Sequence, residues 1–141
     1  MASEAQVQLL NQGVDVWNTW REQHSDVSID LTDAKFRKVD LAHCNLSSAD
    51  LSGADFSSSN LDGAIFRRAI CYETKFRKAE LEKADFTDAE LVGTIFTIAH
   101  CEGAIFKNAV VTGASFRATY VQRADFTGVD LASANVRPPE G

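Results

Sequence analysis

A chain of 141 residues, 45% hydrophobic and 24% charged, is long enough to bury one core and too short for two. No run approaches the ~20 apolar residues that cross a bilayer, and the first residues alternate polar with apolar instead of pairing a basic start with a greasy stretch, so neither a membrane span nor a secretory leader is expected. The net charge of −6 is unevenly placed, because residues 1–28 hold four acids and one base, whereas residues 29–137 hold 15 acids and 13 bases and are close to neutral. Three cysteines, Cys44, Cys71 and Cys101, are too few and odd in number for a disulfide framework, which suits a reducing, cytoplasmic setting.

Residues 1–28 read as a capping helix and linker. Ser3 with Gln6 forms a capping-box pattern, and Leu10, Val14, Trp17 and Trp20, together with Val7, make one apolar stripe on a single helix running to about His24. That stripe is expected to lie across the open end of whatever follows. The alternative is a helix that docks into a groove on another protein.

Residues 29–137 carry a repeat of five. Its centres fall at Leu31, Phe36, Leu41 and every fifth residue to Leu131 and Val136, giving 22 positions without an insertion, each of them Leu, Phe, Val or Cys. Two residues before each centre stands a small or short side chain, Ala in 14 of the 22 cases. None of these 44 positions is charged, and all 28 charges of the segment occupy the other three slots, a segregation that requires a persistent inside and outside. Residues two apart point to the same side of an extended chain, so the small residue and the centre both face inward. Five is odd, so each pentad must turn a corner, and Gly53, Gly63, Gly93, Gly103, Gly113 and Gly128 stand two residues after a centre, where a positive φ favours glycine.

All nine Phe occupy centres of alternate pentads. Four pentads per coil keep Phe36, Phe56, Phe76, Phe96 and Phe116 on one wall and Phe66, Phe86, Phe106 and Phe126 on the opposite wall, whereas three per coil would scatter them. Rings stacked along the axis at the ~4.8 Å ladder spacing suit offset aromatic packing.

Units such as Ala49-Asp50-Leu51-Ser52-Gly53 and Ala54-Asp55-Phe56 resemble the repeat of the pentapeptide-repeat proteins, over about three quarters of the chain. The resemblance implies an all-β fold: a right-handed quadrilateral β-helix of about 5.5 coils, here with an N-terminal capping α-helix. It also brings a precedent, members that protect DNA gyrase by imitating duplex DNA. Duplex of ~26 Å carries about 15 phosphate charges, against a repeat region only two acids in excess. The Phe36 wall moreover bears Lys35, Arg37, Lys38, Lys75, Arg77 and Lys78, while the next wall is acidic through Asp40, Asp62, Glu80, Glu82 and Glu102. Gyrase mimicry is therefore the secondary reading, and direct nucleic-acid binding by the basic wall is disfavoured in a net acidic protein.

Residues 138–141 form a short tail. Pro138 and Pro139 cannot donate to a further ladder, so they stop the coil without covering its core. Pairing of two copies through that end is the expectation, and the resemblance supplies precedent for it.

A filled tube with flat walls offers no cleft, so an enzyme, a small-molecule substrate, a cofactor and a membrane partner are not expected. In His43-Cys44 and His100-Cys101 the Cys points inward and the His outward, so the pairs cannot share a metal ion. Asp40, Glu80 and His100 form an outward column that reads as solvated. Recognition of a protein partner is assigned to an outward apolar cluster, Ile70, Tyr72, Val92 and Val110, with Ile65 and Ile105 round the corner and Glu90 in its midst.

Overall fold

A computed structural model describes residues 1–140. Its organising feature is a register of twenty: parallel bridges join Asp30 to Asp50, Lys35 to Asp55, Asp40 to Asn60, Asn45 to Ile65, and so on through Ile105 to Asp125. Twenty residues are four pentads, so each wall stacks the same pentad of successive coils. We name the walls by their first centres: Leu31, Phe36, Leu41 and Leu46. The chain is a repeat β-solenoid.

Corner geometry explains why five residues make one side. Every residue two after a centre, from Asp33 to Gly128, has positive φ, and most of them are not glycine: 14 such residues hold φ between 53° and 64°. A left-handed residue reverses the strand's next flip, so the following small residue again faces inward. Each rung is then closed by the backbone. Leu31 N–H donates to Asp50 C=O, Asp33 N–H to Ser52 C=O, and Asp50 N–H returns to Ile29 C=O, each at 2.9 Å.

The interior is solid. Cys44, Leu46, Ala49, Leu51, Ala54, Phe56 and their successors form one continuous buried cluster. Phe76 lies 5.4 Å from Phe56 and 5.3 Å from Phe96 along one stack, while Phe66, Phe86 and Phe106 form the other, with Phe66–Phe86 at 4.5 Å. The two stacks meet edge to face, at 85° for Phe66–Phe76. Hydroxyls in the small slot are paired: Thr74, Thr94 and Thr119 donate to the carbonyls of Leu51, Cys71 and Phe96 at 2.7, 2.5 and 2.7 Å, and Ser59 donates to that of Phe36.

The N-terminus departs from the expected single helix. It forms α1 (Glu4–Asn11) and α2 (Val14–Gln23), broken at Gly13, whose φ of 112° no helix accommodates. Ser3 does cap α1, accepting from Gln6 N–H. At the far end Ser115–Arg117 and Asn135–Arg137 pair as the parallel strands β1 and β2, with a 3-10 turn at Leu131–Ser133 between them. Inward centres there lack cover: Leu131 is 37% exposed and Val136 51%.

Candidate interaction surface

The walls outside the core carry whatever chemistry the protein presents. On the Leu31 wall the bridges Asp50–Ile70, Ile70–Glu90 and Glu90–Val110 build one column in which apolar and acidic residues alternate. Tyr72 and Val92 stand in the adjoining slot of the same wall. Tyr72, Val92 and Val110 are exposed, whereas Ile70 is half-buried. The structure thus brings the four residues onto one wall with Glu90 inside the cluster, where it accepts a hydrogen bond from Tyr72 Oη at 3.1 Å. That bond, and the carboxylate's charge, raise the Tyr72 pKa. Ile65 and Ile105 lie on the Leu46 wall, half-buried and exposed respectively.

The histidines and cysteines stay apart as their slots dictate. All three cysteines are buried and free. Burial pushes the Cys44 thiol up to about 12, and raises Cys71 and Cys101 as well, so none is a nucleophile near neutrality. His100 stacks on Tyr120 at 4.4 Å and reaches Glu102 at 3.5 Å. Among the described residues no group of His, Cys, Asp or Glu is arranged to hold a metal ion.

Acidic residues before the centres act locally. Asp30, Asp55, Asp85 and Asp125 each accept from the N–H two residues on, at 2.9–3.0 Å, closing an Asx turn over the pentad. In Asp30 and Asp125 the bonds from Thr32 and Thr127 depress the carboxyl pKa. In Asp55 and Asp85 partial burial pushes the other way, and the turn bonds with Arg37 and Arg67 outweigh it.

At the N-terminal edge the two helices pack against the first coil. Leu10 and Trp17 are buried, and Val14 and Trp20 pack half-buried against the same core. Trp17 Nε1 donates to the Asn45 carbonyl at 2.8 Å. Three polar residues that the apolar stripe did not mark complete the edge. The Gln6 amide donates to Ser28 C=O and accepts from Asp30 N–H, both at 2.8 Å. The Asn18 amide does the same between His43 C=O and Asn45 N–H, at 3.0 and 2.8 Å. Arg21 donates to Asn45 and Ser47 carbonyls at 3.0 and 2.8 Å, and burial lowers its pKa. Their sequence signal is only a polar residue beside the stripe, indistinguishable from a solvated one.

The C-terminal end is different. Phe116, Val121, Phe126, Leu131, Val136 and Pro138 border an open apolar cavity of 440 Å³.

Comparison with known proteins agrees with this geometry. The model of the pentapeptide repeats matches in eight copies, over residues 29–68, 65–100 and 95–132. Among solved structures, the pentapeptide-repeat protein Rfr23 of the cyanobacterium Cyanothece 51142 is 21% identical with a TM-score of 0.76, covering 85% of this chain and 97% of its own. A pentapeptide-repeat protein of the Arabidopsis thaliana thylakoid lumen is 30% identical with a TM-score of 0.69, covering 72% and 71%. QnrB1, a plasmid-mediated fluoroquinolone resistance protein, is 20% identical with a TM-score of 0.55, covering 74% and 73%. No curated protein sequence gives a significant match.

Proposed function

This chain belongs to the pentapeptide-repeat family, and from that premise we propose that it is a non-enzymatic, right-handed solenoid of about 5.5 coils that works as a protein-interaction module. The observation that carries the reading is the exposure of Tyr72 (42%), Val92 (36%) and Val110 (47%) on one wall of a rod whose interior is filled. Apolar side chains held in water on a rigid, flat face favour a partner surface, whereas the filled interior gives a substrate nowhere to converge with acids, bases or a nucleophile.

Quantitative co-purification tests it. Partners retained by the native protein are expected to fall away from a Tyr72→Glu, Val92→Lys variant. An unchanged partner set would dismiss the wall.

The two N-terminal helices serve in this reading as the cap of the first coil, and the open C-terminal cavity as a pairing site for a second copy. A monomeric mass at high protein and high salt would contradict the pairing. Gyrase mimicry has the likeness to QnrB1 in its favour, but that likeness concerns fold, and the cationic Phe36 wall opposes entry into a site built for DNA. Inhibition of supercoiling by this protein would reverse the preference.

A further inference from the structure

The coil register sorts the charges by wall, and the result is lopsided. Eight of the 13 bases of residues 29–137 lie on the Phe36 wall, beside one acid, Asp55. The Leu31 wall has six acids, Asp30, Asp33, Asp50, Glu73, Glu90 and Asp130, and no base. The other two walls are milder, with five acids against two bases on the Leu41 wall and three of each on the Leu46 wall. The rod is therefore polarised across its width, its most positive wall adjoining its most negative.

The cations are also largely unneutralised within the chain. The only ion pair on the Phe36 wall, among the described residues, joins Arg37 to Asp55 at 3.7 Å. Lys35, Lys38, Lys75, Arg77 and Lys78 have none. Stacking so much like charge on one face costs stability, and an opposite wall on another molecule relieves that cost.

We propose that the occupant of this basic wall is the acidic Leu31 wall of a second copy. The proposal rests on the reading of the Leu31 wall as an interaction surface and names what covers it. Four equal pentads per coil set adjoining walls near right angles. A contact between adjoining walls of two copies is heterologous, and with coil axes parallel each copy is turned a quarter-turn from the last. Four such steps close a ring instead of extending a fibre.

Level register under that symmetry makes a specific map. On facing walls the chains run in opposite directions, so the slot before the centre on one wall meets the corner slot on the other, and middle slots meet each other. Lys35 then faces Asp33, Lys38 faces Asp30, and Lys75 faces Glu73. In the third row Arg77 lies over the ring of Tyr72, a cation–π arrangement. In the fifth row Ala118 meets Val110. Across the facing walls no row sets like charges directly opposite; on the ring axis the four Asp33 and the four Glu73 converge, each of them facing Lys35 or Lys75 of a neighbour. The same construction with the Leu41 wall fails this test, because it sets Lys75 against Lys83. The corners that meet on the ring axis are those of Asp33, Gly53, Glu73, Gly93 and Gly113, and the three glycines leave room for close approach.

Magnitudes fix the character of the assembly. One wall of ~26 Å by ~15 Å offers roughly 400 Å², about half of what each partner commits to a standard interface. Each copy uses two walls. Exposed ion pairs add little apiece and are screened by salt, so the ring forms at high protein concentration and dissolves in salt.

Sedimentation equilibrium at about 50 mM and about 1 M salt tests it, with paired charge reversals. Lys35→Glu with Lys75→Glu sets Glu against Asp33 and Glu73 in the facing rows, and Asp33→Lys with Glu73→Lys sets Lys against Lys35 and Lys75. These slots already accept such residues, since Glu80 and Glu90 precede centres and Lys38 and Lys78 hold positive φ, and unchanged melting temperatures in high salt, where the ring is dissolved, verify the fold. The native chain is expected to have four times the mass in low salt that it has in high salt, where copies of 15.4 kDa are single or paired only through their C-terminal ends. Either variant alone is expected to keep the high-salt mass in low salt, and an equimolar mixture of the two to regain the fourfold mass. A native chain whose mass does not rise in low salt, or association untouched by the reversals, overturns the ring. A native chain that captures a partner through Tyr72 and Val92 while staying unassociated in low salt refutes the ring and leaves the broader reading standing.

Discussion

A single dihedral angle repeated along the chain does most of the work of shaping this molecule. Positive φ costs an L residue about 1–2 kcal/mol, least for Asn, Asp and Gly, and the corner slots pass through His43, Arg68, Lys83 and Ala118 regardless. Ladder bonds on both sides over-determine those corners. Ile98 is the least suited, β-branched at φ 61° and 41% exposed. Replacing it with Asn is expected to raise the unfolding free energy by about 1 kcal/mol, read by chemical denaturation; a loss would mean that the Ile98 side chain holds a contact worth more than its strain. Only the glycine corners were legible in the sequence, since glycine alone announces a positive φ. The rest followed from counting five. The Asx turns give this scale a pH dependence. Asp30, Asp55, Asp85 and Asp125 have folded pKa values below their unfolded ones, so the folded state binds fewer protons than the unfolded. Their contribution is complete above the unfolded carboxyl range near 4 and is lost as pH falls through the folded values. Thermal melts are expected to be flat from pH 7 to about 5 and to decline below about 4; a decline already complete at pH 5 would point to other groups.

Among the elements, the two helices show how far an apolar stripe can be read. Leu10, Val14, Trp17 and Trp20 all face the core, as a continuous helix would require, yet the chain breaks at Gly13. A straight helix could not bring both Ser3 to Asp30 and Asn18 to Asn45, and the break lets α1 and α2 address different walls. Asn18 and Arg21 were invisible, and Gln6 was legible only as half of a capping box, for a physical reason: their side-chain partners are backbone groups of the first coil, which the sequence does not display as residue types. Arg21→Ala would strip donors from two carbonyls, and Trp17→Ala would open a cavity as well. The expected losses are about 1–3 kcal/mol for the first and about 3–5 kcal/mol for the second, by denaturant unfolding. Equal and negligible losses would mean that the helices merely rest on the solenoid.

For the whole molecule, the alternation of Phe with Leu, Val or Cys centres pointed to an even number of walls, because only an even division keeps each residue type on one wall, and the family resemblance implied four. Charge was readable as a segregation from the core, but its distribution among walls emerges only when the twenty-residue register is imposed. The same holds for the Tyr72–Glu90 bond, which joins residues 18 apart. A solenoid so filled leaves its outer walls and its two ends as the only places for function. That claim depends on the two phenylalanine stacks occupying the axis without voids. Chemical unfolding of Phe76→Ala tests it most directly, because Phe76 lies within ring-packing distance of Phe56, Phe66, Phe86 and Phe96. A solid core predicts a loss of about 3–5 kcal/mol; a loss under about 1 kcal/mol would mean that the ring borders open space, and that the interior is a channel able to admit a ligand.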